Sequence, residues 1–367
     1  MRILLLGEYS NVHWTLACAL RKLGHEVCVV SNGDEWKGYP TDIPLIRTAG
    51  RLGSIVYLYK VLRLLPKLKG YDVVQLINPV HFIDLKAERG IRIYNYLRRH
   101  NKRVFLGAFG YDHYYVYDSV ICRTLRYCDY YTPSREVHHE WNTANEHDWL
   151  HTFKKDANIH IAQTCDGIIS GLYEYDVAYR PYFPEKTSFI PFPIEVKEVD
   201  EKVLTMQENR KLRFFIGIQR HRTALKGTDV MLRALERVVA DYPDCAEMIK
   251  AESLPFNQYK EMMNSSDVLL DQIYSYTPAM NALQAMSQGL IVVGGGEDEN
   301  YAILNEKELR PIINVQPDEE DIYCKLEQLV LHPERIFQLK RDSIEYIRRH
   351  HDSLKVAKQY IAVWTND

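Results

Sequence analysis

The chain has 367 residues, 46% of them hydrophobic and 26% charged, which is the composition of a folded protein and more length than one core usually holds. Its 46 Lys and Arg against 49 Asp and Glu give a formal net charge of −3, without the basic excess of a general nucleic-acid-binding protein. Seven scattered cysteines without a CxxC pair indicate neither a disulfide framework nor a zinc ribbon. The first residues have too short an apolar run for a signal peptide, and no run approaches the ~20 apolar residues of a membrane span. We therefore expect a two-domain protein of the reducing cytoplasm.

The first half of the chain predicts an alternation of strands and helices. RILLLG forms a strand that ends at Gly7, NVHWTLACALRKLG has apolar residues at helical spacing, and EVCVVS begins the next strand. SIVYLYKVLRLLPKLKG and KAERGIRIYNYLRRHN follow as helices, with strands in DVVQLIN, RVFLGAF, DGIISG and TSFIPFP. Strands that are apolar throughout are typical of a parallel sheet covered on both faces. Residues 112–160 interrupt the alternation, and we interpret them as a partly helical insertion.

The second half repeats the alternation after a charged linker, EKVLTMQENRK. Strands are predicted in LRFFIGI, AEMIKA, DVLLDQ, LIVVGG and RPIINV, helices in GTDVMLRALERVVADY, NQYKEMMNSS and AMNALQAMSQG, and two long helices at the end. The predicted fold class is α/β with two facing Rossmann-like domains, in residues 1–193 and 194–350, and a last helix in 351–367 that crosses back to the first. In such folds ligands bind beyond the carboxyl ends of the strands, so the expected site is the cleft between the domains.

Three cations occur together in the stretch GIQRHRTALKGT, between a predicted strand and a predicted helix. They are Arg220, Arg222 and Lys226. Arg offers a rigid fork of donors and Lys a compact charge, and the start of the following helix adds unpaired amides that favour phosphate. The stretch is therefore either a cradle for a diphosphate or an ordinary solvated loop.

Several motifs resemble a known family. KGTDVMLRAL, SSDVLLDQ and ALQAMSQGLIVVGGG resemble the donor-binding domain of GT-B glycosyltransferases, in the glycogen-synthase-like group numbered family 4. The glycine-ended first strand, LRKLGHEV and CDGIIS are similar to the partner domain of that family. The resemblance implies retaining transfer of a sugar from a nucleotide-diphosphate sugar to an acceptor hydroxyl, with no metal and no cofactor other than the donor. It assigns Lys226 and Gly227 to the phosphate site, together with Arg220 or Arg222, because fixed cations stabilise the charge that develops on a leaving diphosphate.

The sequence departs from the family where two glutamates are usual. Those positions are Tyr276 and Gln284, and a turn containing Pro278 replaces a glycine-rich one. Gln284 can meet ribose hydroxyls without charge, the Tyr276 hydroxyl can contact the sugar, and Asn281 can replace the amide donor that proline lacks. The alternative is that these residues only form a turn and a helix.

Other candidates follow from the resemblance and from position, because the family has a Gly-Gly before a glutamate near the donor and a His, sometimes with Asp, that contacts the transferred sugar. Gly295, Glu297 and Glu299 either line the donor site or form a solvated acidic turn, and Gly7 is expected beneath the reacting centre. Three groups are assigned to orienting the sugar or contacting the acceptor, with helix capping and ordinary packing as the alternatives. They are Asp112 with His113, His13 beside Asn11, and Trp141 with Trp149. The histidines of the insertion have no zinc-ligand spacing.

The expected partners are a nucleotide-sugar donor and a glycan or lipid-linked acceptor. The basic stretches YKVLRLLPKLKG and IRIYNYLRRHNKR either are solvated or rest on the inner face of a membrane, where surface polysaccharide is assembled. Two other functions remain open at this point. They are a GT-B nucleotide-sugar epimerase, which needs acid and base carboxylates, and a non-catalytic sugar-binding protein, which the loss of the two glutamates favours.

Overall fold

The computed structural model describes residues 1–199, 204, 210–219, 223–252, 254 and 256–366. The chain divides into two compact units. Unit 1 comprises Met1–Thr124, Ala144–Pro193 and Ser353–Asp367, and unit 2 comprises Leu125–Thr143 and Ile194–Asp352. Leu125–Thr143 was expected in the insertion of the first domain, but Val137 of this segment packs in the core of unit 2. Most of the expected linker EKVLTMQENRK lies outside the described residues.

Unit 1 is built on a parallel sheet with helices between its strands. Its described strands are β1 (Arg2–Leu6), β2 (Glu26–Ser31), β3 (Ile43–Pro44), β4 (Val73–Leu76), β5 (Arg103–Ala108), β6 (Gly167–Ser170) and β7 (Thr187–Phe189). The helices of this part of the chain are α1 (Val12–Lys22), α2 (Gly50–Leu64), α3 (Ala87–His100), α4 (His113–Tyr117), α5 (Glu140–His151), α6 (Phe153–Thr164) and α7 (Tyr173–Tyr179). β1 and β4 are almost wholly buried, as apolar strands of a covered parallel sheet must be.

The strand order in unit 1 is β3-β2-β1-β4-β5-β6-β7, with every described pair parallel. Chain direction across the sheet reverses between β1 and β4, which is the arrangement of a dinucleotide-binding Rossmann sheet. The residues that follow these two strands therefore lie where such sheets bind ligands.

Unit 2 contains a second parallel sheet, in the order β12-β11-β10-β8-β9. Its described strands are β8 (Leu212–Ile218), β9 (Ala246–Glu252), β10 (Val268–Leu270), β11 (Ile291–Gly294) and β12 (Ile313–Asn314). Its described helices are α8 (Thr223–Lys226), α9 (Thr228–Asp241), α10 (Phe256–Asn264), α11 (Met280–Met286), α12 (Asp298–Ile303), α13 (Glu319–Leu331) and α14 (Ile336–Tyr346). The order is that of a flavodoxin-like sheet, and its switch point lies between β8 and β10.

These two parallel sheets confirm the predicted α/β fold class. The end of the chain differs from the prediction of two long helices, because three follow β12: α13, α14 and α15 (Ser353–Thr365). Pro333 begins a 3₁₀ turn after α13, since proline cannot continue a helix. α15 belongs to unit 1, where it packs on α1 and where the Trp364 carbonyl accepts a hydrogen bond from the Arg103 guanidinium at 2.9 Å. No helix among the described residues is long and apolar enough to cross a membrane.

A buried ion pair anchors β10 to α14 in unit 2. The Lys340 ammonium contacts the Asp267 carboxylate at 2.6 Å, and both side chains are almost fully buried. Arg210 reaches the same oxygen at 2.5 Å, and the Arg213 amide donates to the other carboxylate oxygen at 3.0 Å. Asp267 immediately precedes β10, so this pair fixes the start of the strand that leads to the switch point.

The ionised carboxylate of Glu306 should make the folded protein less stable as the solution becomes acidic. Burial alone would raise the pKa of this carboxyl, but the amides of Leu309 and Glu308 and the side chains of His350 and Arg349 lower it from 4.5 to about 2. Because the folded pKa is depressed, the stabilisation is complete above pH ~4.5 and disappears as the pH falls towards 2. With Arg349 partly exposed, we expect Glu306→Gln to lower the free energy of unfolding by about 1–2 kcal/mol at pH 7.

Urea unfolding of both proteins across this pH range measures the effect. The difference between wild type and variant should narrow steadily below pH ~4.5. A difference that stays constant down to pH 2 would show that Glu306 is not held ionised by its partners.

Candidate functional site

Lys226 and Gly227 lie at the switch point of unit 2. Lys226 ends α8, and Gly227 precedes α9 with φ 67°, in the left-handed region that glycine tolerates. A Cβ at Gly227 would lie 2.2 Å from the Ile273 Cγ1 atom, so glycine is also required for space. The Lys226 carbonyl accepts from the Ile273 amide at 3.1 Å, which joins the loop after β8 to the loop after β10.

Asp271 follows β10 and faces the same point. Its carboxylate accepts from the Asn281 side chain at 2.9 Å, and the Asn281 oxygen accepts from the Tyr259 hydroxyl at 3.1 Å. Burial raises the pKa of Asp271, while the charge of Lys226 and the Asn281 hydrogen bond oppose that rise. The Asn281 side chain, expected to face a phosphate, is thus engaged with protein groups in this structure.

The loop after β11 carries a buried carboxylate with four side-chain donors. Glu297 accepts from Arg126, Tyr127, Asn314 and Gln316 at 2.7, 2.7, 3.0 and 2.7 Å. Burial by itself raises the pKa of Glu297, but these donors and the Arg126 charge outweigh it and hold the pKa below its ordinary value. Glu297 is therefore ionised at neutral pH and lies in a rigid network.

Tyr276 belongs to the same network. Its hydroxyl accepts from the Arg126 amide at 2.6 Å, and the Arg126 guanidinium lies 4.9 Å from its ring centroid. The Tyr127 ring packs against it at a tilt of 35°, with 4.9 Å between the centroids. Arg126 also pairs with Glu299. Where the family has a glutamate, this chain thus has a buried aromatic ring, and the positive charge of Arg126 makes a cation–π contact with it.

Gln284 and Gly295 complete this edge of the sheet. Gln284 is half-buried on α11 and donates to the Ser287 hydroxyl at 3.2 Å. Gly295 follows β11 and packs against Ser275, whose buried hydroxyl has no hydrogen-bond partner among the described residues. A buried hydroxyl without a protein partner is a natural point for a ligand or water to bind.

Glu297 and Glu299 form a matched pair for a stability test. Replacing Glu297 by alanine removes the buried acceptor of four side-chain donors, of which Tyr127 is buried and Asn314 half-buried. We expect a loss of about 2 kcal/mol in the free energy of unfolding. Replacing Glu299, which contacts Arg126 at the surface, should cost less than about 1 kcal/mol. Urea unfolding checks both values, and equal losses would contradict the assigned network.

In unit 1, the residues after β1 form a buried polar cluster. Gly7 has φ 84°, and a Cβ there would lie 2.2 Å from the Ile77 Cγ2 atom. Glu8 accepts from the amides of His13 and Trp14 at 3.1 and 2.8 Å and so caps α1, whereas Asn11 makes no capping bond to the backbone. Burial raises the pKa of Glu8 to about 8 despite these amides.

His13 is completely buried in this cluster. Burial lowers its pKa to about 4, although its Nδ1 atom lies 2.8 Å from the Gly7 carbonyl. The ring is therefore neutral, Nδ1 donates to the carbonyl, and Nε2 is left as an acceptor. Nε2 has no partner among the described residues.

Asp112 and His113 follow β5. Asp112 is buried, caps α4 by accepting from the Tyr115 amide at 3.0 Å, and accepts from the Tyr179 hydroxyl at 2.8 Å. Burial raises its pKa to about 7 against these hydrogen bonds. His113 donates through its amide to Asn158 at 2.8 Å, and its Nδ1 atom lies 3.0 Å from the Trp149 carbonyl. Both side chains are thus held by protein groups at the ends of parallel strands.

The remaining candidates differ in accessibility. Trp141 is 47% exposed, while Trp149 is 1% exposed and its ring contacts His81 and Lys154. Trp149 thus packs within unit 1 and presents no free face for a sugar. Arg220 and Arg222 lie outside the described residues.

Sequence reasoning missed four residues of these networks. They are Glu8, Arg126, Tyr127 and Asp271. Glu8 and Asp271 each follow an apolar strand directly, which is a usable signal. Arg126 and Tyr127 lie about 170 positions from Glu297 in the sequence, and no local pattern marks that contact.

Comparisons with solved structures identify the fold of the chain. Sucrose-phosphate synthase from Thermosynechococcus elongatus matches with a TM-score of 0.61 at 12% identity, over 99% of this chain and 98% of the other. Anabaena Alr3699/HepE in complex with UDP and glucose matches with 0.60 at 11%, over 100% and 99%. UDP-GlcNAc 2-epimerase from Neisseria meningitidis bound to UDP-GlcNAc matches with 0.53 at 11%, over 99% of both chains. No family model and no curated protein matches the chain. The chain therefore has the GT-B glycosyltransferase fold that was expected from its motifs.

Proposed function

We propose that the protein is a retaining glycosyltransferase that moves a sugar from a nucleoside-diphosphate sugar to an acceptor hydroxyl. One observation carries the proposal. At the switch point of unit 2, Lys226 and the start of α9 lie beside Asp271, where a flavodoxin-like sheet binds phosphates. The fold shared with a structure in complex with UDP and glucose supports the same ligand class.

In the proposed reaction, the bond between the anomeric carbon and the β-phosphate oxygen breaks while the acceptor oxygen bonds to that carbon on the same face. The acceptor hydroxyl gives its proton to the departing phosphate oxygen, so no enzyme nucleophile, cofactor or metal is required. Lys226, with Arg220 or Arg222, stabilises the charge on the leaving diphosphate. Gly227 and Gly295 let the donor come close to the protein backbone, and Gln284 contacts its ribose. Tyr276, which is buried and bonded to the Arg126 amide, supports the sugar site through Arg126. On unit 1, Asp112, His113 and the Nε2 atom of His13 orient the sugar and the acceptor. Trp141, which belongs to unit 2, is the exposed stacking surface.

The proposed setting is surface polysaccharide or glycan assembly on the cytoplasmic side of a membrane. The acceptor is then a growing glycan or its lipid-linked form.

A second function, nucleotide-sugar epimerisation, is favoured by the two buried carboxyls of unit 1. Glu8 and Asp112, with pKa values of about 8 and 7, can each exist in either protonation state near neutral pH, as acid and base catalysts must. Chain similarity to an epimerase fold is compatible with this alternative. A non-catalytic sugar-binding role is the third possibility, because Tyr276 stands where a glutamate is usual.

A thermal-shift panel tests whether the protein binds nucleotides and identifies the nucleobase of its donor. UDP, GDP, ADP and TDP, and then their sugars, are added to the full chain, and the cognate nucleotide at 100 times its Kd should stabilise it by about 2.7 kcal/mol. Turnover is then followed by NMR with and without glycan acceptors. Nucleoside diphosphate release with retained anomeric configuration supports transfer, and a new sugar epimer without release supports epimerisation. Binding without either supports the third possibility, and no stabilisation by any nucleotide overturns the donor site.

A further inference from the structure

Helix α2 presents an exposed apolar stripe to solvent. Leu52, Ile55, Val56, Tyr59 and Leu62 have exposed fractions between 50% and 80%. Their spacing of three and four residues places them on one face. These five are the largest concentration among the exposed large hydrophobic residues described in the chain. An apolar surface of this kind marks an interaction site more often than ordinary solvent exposure.

The opposite face of α2 is firmly attached to unit 1. Gly53, Tyr57, Val61 and Leu64 are buried, and the Tyr57 hydroxyl accepts from the Asp84 amide at 2.9 Å. The apolar stripe is therefore not a core face that has been displaced, because the helix already has its core face. It is a second hydrophobic face on a helix that is held in place by the first.

The chain segment that carries the stripe has charge of one sign. Residues 43–71 contain no Asp or Glu, and they contain six cations, in a chain whose formal net charge is −3. The six are Arg47, Arg51, Lys60, Arg63, Lys67 and Lys69. At 100° per residue, Arg51 and Lys60 flank the stripe on its two sides and Arg63 lies within it. Asp84 neutralises Arg47 at the start of this segment, through a contact of 3.2 Å, and the helix itself carries no carboxylate. An apolar face bordered by Arg51 and Lys60 is complementary to an anionic lipid surface, and a second copy of this positive face would be repelled by the first.

Helix α3 shows that basic charge alone does not produce this surface. It is also basic, with Arg89, Arg92 and Arg99 exposed, but its Ile93 and Leu97 are buried. All of its residues are described, and its large apolar side chains are buried or half-buried. The two basic stretches of the sequence therefore differ, and α3 is an ordinary solvated helix.

We propose that α2 is a membrane-docking helix, which lies in the interface of an anionic bilayer with its Leu52–Leu62 stripe among the acyl chains and its cations at the headgroups. The helix is about 22 Å long, enough to lie along the surface but not to span it. The inference rests on α2 alone and does not depend on the identity of the donor or the reaction. It gives unit 1 a fixed orientation on the membrane, on the side where a lipid-linked acceptor would be found.

Vesicle flotation of the full chain without nucleotide tests the proposal. Vesicles of phosphatidylcholine alone are compared with vesicles containing equal parts of phosphatidylcholine and phosphatidylglycerol. The wild type should bind the anionic vesicles and bind less as salt is raised. Leu52→Ser with Leu62→Ser, and Lys60→Glu with Arg63→Glu, should each lower the partition coefficient at least about tenfold. A Tyr59→Trp variant should show a blue shift of its emission on binding.

Arg92→Glu with Arg99→Glu on α3 is the matched control, because it changes the net charge equally in the same unit. This control should keep most of the vesicle binding. Equal loss in the control, or no binding by the wild type, overturns the proposal. Sedimentation equilibrium tests whether a second copy of the chain occupies the stripe instead. A wild type that is a dimer and does not bind vesicles, and that the double serine variant converts to a monomer, would assign the stripe to self-association. Unchanged melting temperature and unchanged nucleotide stabilisation in the variants show that the fold and the donor site are intact.

Discussion

Lys226→Ala is expected to lower kcat/KM for the proposed sugar transfer about 10²- to 10³-fold, which is the usual effect of removing one preorganised group that stabilises developing charge. Its side chain carries a positive charge at the β8–β10 switch point, and this charge opposes the rise in the pKa of Asp271 that burial causes. Its backbone carbonyl, which accepts from Ile273, is kept in the variant, so the loop conformation should survive. The loss should therefore fall on the chemistry and on diphosphate binding rather than on folding.

Initial rates with the cognate nucleotide sugar measure this effect, and thermal shift with the nucleoside diphosphate measures binding. Lys325→Ala, at an exposed position of α13 in the same unit, is the matched control and should leave both unchanged. A Lys226→Ala variant with a rate within about threefold of wild type would remove this lysine from the diphosphate site. A variant that binds diphosphate normally but reacts slowly would restrict its role to the transition state.

The largest expected change in stability comes from Lys340→Met. Among the described residues, this substitution leaves the buried Asp267 carboxylate with Arg210 and one amide as partners. Removing one member of a buried ion pair costs about 3–5 kcal/mol. Because Asp267 precedes β10, we also expect weaker nucleotide stabilisation in the variant that still folds.

Urea unfolding of Lys340→Met, Asp267→Asn and the double variant separates pairing from packing. The double variant should recover part of the loss, because neither charge is then buried alone. Lys325→Met should change the free energy of unfolding by less than about 0.5 kcal/mol. If the double variant loses the sum of the two single losses, Lys340 contributes through packing and not through its charge.

Sequence patterns predicted the strands well because each is a short apolar run between polar turns, as in RILLLG and LRFFIGI. They also predicted the strand before Lys226 and the helix after Gly227, although Lys226 itself ends a short helix where a loop was expected. Burial could not be predicted in the same way. Trp149 looked suitable for sugar stacking, yet its ring is packed within unit 1, because aromatic residues serve cores and ligand surfaces alike.

Long-range contacts were the other limit. Arg126, Tyr127 and Tyr276 form one network with Glu297, although the first two come from a segment that the sequence suggested was an insertion of the first domain. The segment Leu125–Thr143 belongs to unit 2 although it lies between two segments of unit 1, and nothing in a single sequence indicates this. The Asp267–Lys340 pair, separated by 73 positions, was hidden for the same reason.

Unit 1 is discontinuous, and this has a consequence for how the protein is made. Its last helix, α15, supplies Trp364 and Tyr360, both buried, and is synthesised after the whole of unit 2. Domains usually fold in order as the ribosome releases them. Here unit 2 can finish folding while unit 1 still lacks a helix and exposes the apolar surface that α15 will cover. Unit 1, whose synthesis begins first, is thus completed last, and until α15 emerges the nascent chain exposes apolar surface of the kind that promotes aggregation.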